Sequence, residues 1–404
     1  MAPIPFSPII MPTAPTNTIS STERRGTSRV QGSRPDLLIP LKDIQLENFA
    51  HVRIALSDEY AVIGQLGTID VYSLPEFRLI HSLECGTRIN SLIVHNSILV
   101  SMEEDCGIRI WDLHKGERLH TLMEGTELLT LAAGPECEDV GPFEEESWPL
   151  IAFYYRYTPS VRIWSLRGLG RPNSLDDHDG SAFAKKPQLL REISGHRVTC
   201  IALRRNTAVL GCDEYTVRAW DISTGSCTWV FLGHTNAVTS VELDATRLYT
   251  GSADRTVRIW DILTGECLHI LKGHLSFIAQ LALSTSFLIS SGFDRTICIW
   301  DSYSKKQVYQ LKDCGSRFRV VSGDKITLER KDCLELLDVR HQNRILKKLH
   351  LQDDAQVLQF ECSVQFCVAW AINEGGNWAY IWKLPSGEGD AESEVLQPEQ
   401  NRCL

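Results

Sequence analysis

Between residues 195 and 301 the chain repeats itself, and that period restricts its fold more than any other feature. Trp220, Trp260 and Trp300 stand 40 residues apart, and each precedes an aspartate. Gly195-His196, Gly233-His234 and Gly273-His274 open the three units. Within residues 247–261, Leu248, Thr250 and Ser252 alternate with Tyr249 and Gly251; Asp254, Arg255 and Thr256 then turn the chain into a β-branched and aromatic run that ends at Trp260. A second turn at Thr264 and Gly265 leads to a fourth short strand over residues 268–271. One four-stranded sheet cannot bury both its faces alone. Copies stacked around an axis bury them and leave only short edges, so the period predicts an all-β ring of blades.

Working outward, weaker copies of the unit close at Tyr72, Trp111, Trp164, Leu337 and Trp382. With the three clear copies they make eight blades; seven is the rival count, because the unit closing at Leu337 is so degenerate. Residues 37–46 have no blade of their own, and the unit ending at Trp382 lacks a following strand. The N-terminal segment is therefore expected to supply that strand and shut the ring. The propeller is expected over residues 37–385. Residues 1–36 are rich in Pro, Ser and Thr, set Arg24, Arg25, Arg29 and Arg34 against Glu23, and read as a disordered basic tail. Residues 386–404 read as a disordered acidic tail. Two polar insertions, residues 135–149 and 167–188, interrupt the third unit and are expected on one rim.

Composition removes several classes of function. A net charge of −10 lacks the basic footprint of a general nucleic-acid binder. No run of eighteen apolar residues spans a membrane. The thirteen cysteines contain no CxxC pair and several lie in apolar strand-like runs, which predicts reduced thiols in a cytosolic or nuclear protein. No phosphate-binding loop, zinc-ligand spacing or nucleophile elbow occurs, so no cofactor, no metal and no catalytic residue is expected.

The paired Gly-His and Trp-Asp dipeptides at this spacing resemble the WD-repeat (WD40) β-propeller family. The resemblance implies that His234, Thr250, Asp254 and Trp260, and again His274, Ser290, Asp294 and Trp300, form buried hydrogen-bonded tetrads rather than a hydrolase site. The Trp220 copy has Leu210 and Glu214 at the hydroxyl and aspartate positions. Residues 190–312, with their TGxCxxxLxGH linkers, most resemble the propellers of F-box/WD-repeat ubiquitin-ligase substrate receptors. Such a likeness implies a non-catalytic scaffold for protein binding, with substrate recognition in ubiquitin-dependent degradation as the finer reading. The residues before the first unit have no helical pattern that would make an F-box. The arginines of the phosphodegron-reading members are replaced at Asn90, Thr199, Thr239 and Ala279, and at Glu104, Asp213, Ala253 and Phe293. Leu337, Asp338, Val339 and Arg340 resemble the W-D-x-R box of receptors of another cullin ligase. A signalling, trafficking or RNA-processing scaffold is the remaining alternative.

The rim opposite the insertions is expected to bind the partner. It should carry Arg88, Arg197, Tyr215, Asn236, Arg255, Arg295 and Arg317, a concentration of positive charge suited to an acidic or phosphorylated peptide.

Overall fold

Each unit resolves into four antiparallel strands, as its period-two alternation requires. A computed structural model describes residues 43–46, 52–104, 107–122, 128–135, 149–155, 160–166, 186–331, 333–351, 355–373 and 376–385. All belong to one unit of the chain, residues 36–404. They form eight four-stranded sheets. Blades 1 to 7 take residues 53–84, 89–122, 128–194, 198–231, 238–272, 278–311 and 318–350. Blade 8 takes residues 356–383 together with the strand Asp43–Leu46. The expected tails, and nearly all of both insertions, lie outside the described residues.

The first strand of every blade is innermost. Each inner strand neighbours that of the next blade, and the inner strand of blade 8, Gln356–Cys362, returns to that of blade 1, Arg53–Leu56. The ring is thereby closed. Its seam is the antiparallel pairing of Asp43–Leu46 with Gly376–Lys383, in which Asp43 faces Tyr380 and Leu46 faces Asn377. A strand from one end of the chain completes a blade built from the other, so no edge is left unpaired at the seam.

Eight apolar clusters fill the spaces between blades. Val217 and Phe231 of blade 4 meet Val241, Leu248 and Trp260 of blade 5, for example, and Ile54 and Tyr72 of blade 1 meet Val368 and Ile381 of blade 8. Each large aliphatic or aromatic side chain so buried contributes about 1.5–3 kcal/mol. The count of seven fails at the blade that closes on Leu337. Its four strands are complete, and Leu337, only 2% exposed, packs against Phe287 of blade 6 and Phe318 of its own blade. An aliphatic residue fills the place of the tryptophan, which hides the unit from sequence inspection but not from its neighbours.

Because successive strands are antiparallel, the turns from second to third strand and the links between blades share one rim. The two interruptions of blade 3, between Leu128–Pro135 and Pro149–Tyr155 and between Ser160–Ser165 and Gln188–Ser194, leave on the other.

Candidate partner-binding rim

Two hydrogen-bonded relays hold the rim of blades 5 and 6. His234 Nδ1 lies 2.7 Å from Asp254 Oδ2, and its Nε2 lies 2.7 Å from Thr250 Oγ1, which also accepts a bond from Trp260 Nε1 at 2.9 Å. The carboxylate only accepts, so it fixes the ring proton on Nδ1 and leaves Nε2 to accept from the hydroxyl. In blade 6 His274 Nδ1 lies 3.1 Å from Asp294, Nε2 lies 2.9 Å from Ser290 Oγ, and Trp300 Nε1 donates to the same oxygen at 2.9 Å. Burial alone would raise the Asp254 carboxyl, but bonds from His234, Thr256 and the Thr235 amide outweigh it and hold the group below its ordinary value. Asp294 is held low in the same way, burial being outweighed by the Leu275 amide, Thr296 and His274.

The hydroxyl decides which tryptophans are satisfied. It stands opposite the residue two before the tryptophan: Thr250 faces Arg258, and Ser290 faces Cys298. In blades 3, 4 and 8 that place is taken by Phe153, Leu210 and Ala369. Correspondingly, Trp164, Trp220 and Trp382 have buried indole nitrogens without a partner among the described residues. Blade 2 uses a different device that the sequence reading missed. Ser101 accepts from Trp111 Nε1 at 2.9 Å and donates to Glu103, while Arg109 reaches Glu103 at 2.7 Å. Burial raises the Glu103 carboxyl, and Arg109 and Ser101 only partly offset this.

The seven rim residues do not act alike. Tyr215, Arg255 and Arg295 occupy one turn in blades 4, 5 and 6, all in the left-handed region, with φ of 69°, 71° and 61°. This conformation costs an L-residue roughly 1–2 kcal/mol. In blade 5 it is held by Asp254 Oδ1, which accepts the Thr256 amide at 2.9 Å and its hydroxyl at 2.6 Å. Arg255 and Arg295 are exposed, and neither forms an ion pair among the described residues. Arg197 lies 3.3 Å from Asp213, and Arg88 lies 4.0 Å from Glu104. Asn236 is half-buried and its side-chain oxygen accepts the Ala237 amide at 2.8 Å. Arg317 is exposed at the mouth of the central channel.

Beside Arg295 the rim opens into a groove of about 1090 Å³ between blades 6, 7 and 8, lined among others by Phe293, Arg295, Glu329, Arg330, Lys331 and Leu351. Phe293 is 65% exposed; Leu275 and Phe277, in the link that enters the same blade, are also exposed, and the Phe293 amide donates to Phe277 O at 2.9 Å. A second cavity, of about 590 Å³, occupies the channel between blades 7, 8, 1 and 2. Arg53 lies in it, at the start of the blade 1 inner strand. The inner-strand position held by Asn90, Thr199, Thr239 and Ala279 in blades 2, 4, 5 and 6 is taken by arginine in blades 1 and 7, as Arg53 and Arg319. Burial, then the guanidinium charges of Arg88 and Arg317, lower the pKa of Arg53.

Side chains of the inner strands stitch blades 1, 4, 5, 6, 7 and 8 each to the blade after it. Arg53 Nε donates to Asn90 O at 2.7 Å, and Thr239 Oγ1 to Ile278 O at 2.7 Å; Thr199 Oγ1 reaches Val238 O. Gln280 brackets Phe318 by donating to its carbonyl at 3.2 Å and accepting its amide at 3.5 Å, and Gln359 does the same to Ile54 at 3.1 and 3.4 Å. Arg319 grips Glu361 through two bonds of 2.7 Å.

Known proteins agree with this geometry. The family described as WD domain, G-beta repeat matches residues 225–261 and 265–301. The chain is 25% identical over 200 residues to WD repeat-containing protein pop1 of Schizosaccharomyces pombe, a match covering 42% of this chain and 26% of that protein. It is 29% identical over 175 residues to nuclear distribution protein nudF 1 of Talaromyces marneffei, covering 42% and 32% respectively. Identity to WD repeat-containing protein pop2 of Schizosaccharomyces pombe is 29% over 220 residues, covering 50% and 30%. The chain thus matches a third or less of the length of these curated relatives. The crystal structure of the computationally designed Ika8 protein shares the fold with a TM-score of 0.65 at 21% identity, covering 86% of this chain and 100% of that one.

Proposed function

The chain belongs to the WD-repeat family of β-propellers, and we propose that it is a non-catalytic scaffold whose arginine-bearing rim receives an acidic or phosphorylated segment of a partner protein. The family is one of protein-interaction scaffolds. The observation that carries the finer reading is the groove of about 1090 Å³ with Arg295 at its edge and Phe293 exposed within it. Arg255 stands in the same turn of the preceding blade. A guanidinium meets a carboxylate or phosphate through two parallel bonds, roughly twice as strong as neutral ones. Phe293, Leu275 and Phe277 add apolar surface for the residues flanking the acid. Pull-down with Arg255→Ala/Arg295→Ala, beside a variant lacking residues 136–147, tests the face: the arginine variant should lose partners that the deletion keeps, and the reverse result refutes the choice.

The likeness of residues 190–312 to F-box/WD-repeat propellers supports a narrower role, receipt of substrates for ubiquitin-dependent degradation. Affinity purification followed by mass spectrometry should then recover cullin adaptors; recovery of G-protein, coat or spliceosomal components instead would sink this role. The W-D-x-R-like box is the weaker route to a ligase. Its Arg340 is engaged by Asp324 at 2.8 Å, which itself accepts Ser284 and Ser286 of blade 6 at 2.9 Å each.

A further inference from the structure

Cys362 ends the inner strand of blade 8, Gln356–Cys362, and Cys367 is the second residue of the following strand, Phe366–Asn373. The two are direct cross-strand partners, and their Sγ atoms are in contact at 3.0 Å. Directly opposed residues of an antiparallel pair have Cα atoms roughly 4.5–5.5 Å apart, within the span a disulfide bridges. Both thiols are free; Cys362 is half-buried and Cys367 buried. Glu361, the residue before Cys362, holds Arg319 of blade 7 through two bonds of 2.7 Å.

We propose that Cys362 and Cys367 are an oxidation site, with Cys362 the thiol that reacts with a peroxide and Cys367 the one that converts the product into a disulfide. Cys362 Sγ attacks one peroxide oxygen and the O–O bond breaks. That oxygen stays on sulfur as a sulfenic acid, and the other leaves as water with the thiol proton. Cys367 Sγ then attacks Cys362 Sγ; the S–O bond breaks, and the hydroxyl leaves as water with the Cys367 proton. Two thiols are oxidised and one peroxide is reduced to two waters. The order follows from access. Cys362 is the more exposed, whereas burial raises the Cys367 thiol well above its ordinary range and disfavours it as first nucleophile. Contact with Cys362 makes the second step intramolecular, which compensates. The bond clasps the first two strands of the blade that carries the seam, one residue from the Glu361 that receives Arg319.

The test is peroxide treatment of the full chain, alkylation of remaining thiols and peptide mapping. Cys362 and Cys367 fall in one tryptic peptide, residues 349–383. It should become two hydrogens lighter and take no alkyl group, and dithiothreitol should reverse both changes. A sulfenic-acid probe should label Cys362 in Cys367→Ser and leave Cys367 unlabelled in Cys362→Ser. The oxidised chain should unfold at a higher temperature than the reduced one. The exposed Cys227 and Cys267 are internal references. If they oxidise while Cys362 and Cys367 of the folded wild-type chain remain fully alkylated, or if Cys362 bonds to a different cysteine, the proposal is overturned; these outcomes need no variant to fold.

Discussion

Replacing His274 by alanine removes the centre of the blade 6 relay while leaving most of its periphery. The side chain is 1% exposed and bonds Asp294 at 3.1 Å and Ser290 at 2.9 Å. A hydrogen bond to a charged group contributes about 1.5–3 kcal/mol and a neutral one about 1. The residues left behind are not all orphaned. Ser290 still accepts from Trp300 at 2.9 Å, and Asp294 still accepts the Leu275 amide at 2.6 Å and the Thr296 hydroxyl at 2.8 Å. A loss of about 3 kcal/mol is therefore expected, set by the two lost bonds more than by stranded partners. His196 provides the control, since it occupies the corresponding place in blade 4. Leu210 offers it no hydroxyl, and Glu214, 3.3 Å from Nδ1, is out of line for a hydrogen bond. His196→Ala should cost no more than about 1 kcal/mol, the upper worth of a contact with a half-exposed carboxylate. Equilibrium urea unfolding followed by tryptophan fluorescence gives both values, and hydrogen exchange should place the first loss of protection in blade 6. Equal destabilisation by the two substitutions would refute the relay as a source of stability.

Other expectations concern the seam and the acid range. Removal of residues 1–36 should leave folding intact, whereas removal of residues 1–47 takes away Asp43–Leu46 and exposes the edge of Gly376–Lys383; light scattering and thermal unfolding should separate the two, and identical behaviour would count against this seam. Asp254 and Asp294 have carboxyls held below their ordinary value of 3.8. Such groups contribute stability that is full above about pH 5 and is lost as pH falls through the folded-state value. Asp254→Asn should thus be less stable than wild type at neutral pH and show a shallower loss between about pH 5 and pH 3; parallel pH profiles would contradict this.

Sequence carries the architecture where the repeat is written in residues with a steric or hydrogen-bonding reason to recur. Trp260 and Trp300 need a hydroxyl, Thr250 and Ser290 supply it, and the spacing makes both visible. The blade closing on Leu337 was harder to see because packing asks only for an apolar residue there. Glu103 and Arg109 were missed for a related reason: an acid and a base substitute for a histidine relay without keeping its spelling. Arg53 went unnoticed because its strand is only four residues long and follows no Gly-His signal. The rim charges were readable as residues, but not as a set, since Asp213 and Glu104 lie far in sequence from the arginines they approach.

The stitches between inner strands give the ring a fixed order. In each described case the side chain belongs to the earlier blade and its target to the later one, yet the chemistry changes from junction to junction. Hydroxyls meet carbonyls after blades 4 and 5, carboxamides bracket a peptide unit after blades 6 and 8, and a guanidinium grips a carboxylate after blade 7. Units that look interchangeable along the sequence are therefore addressed to particular neighbours. Exchanging blade 5 with blade 7 would set Arg319 before a blade that lacks Glu361 and strand a cation between sheets, although every blade would keep its own four strands. Shuffled or duplicated repeats must inherit junctions as well as blades.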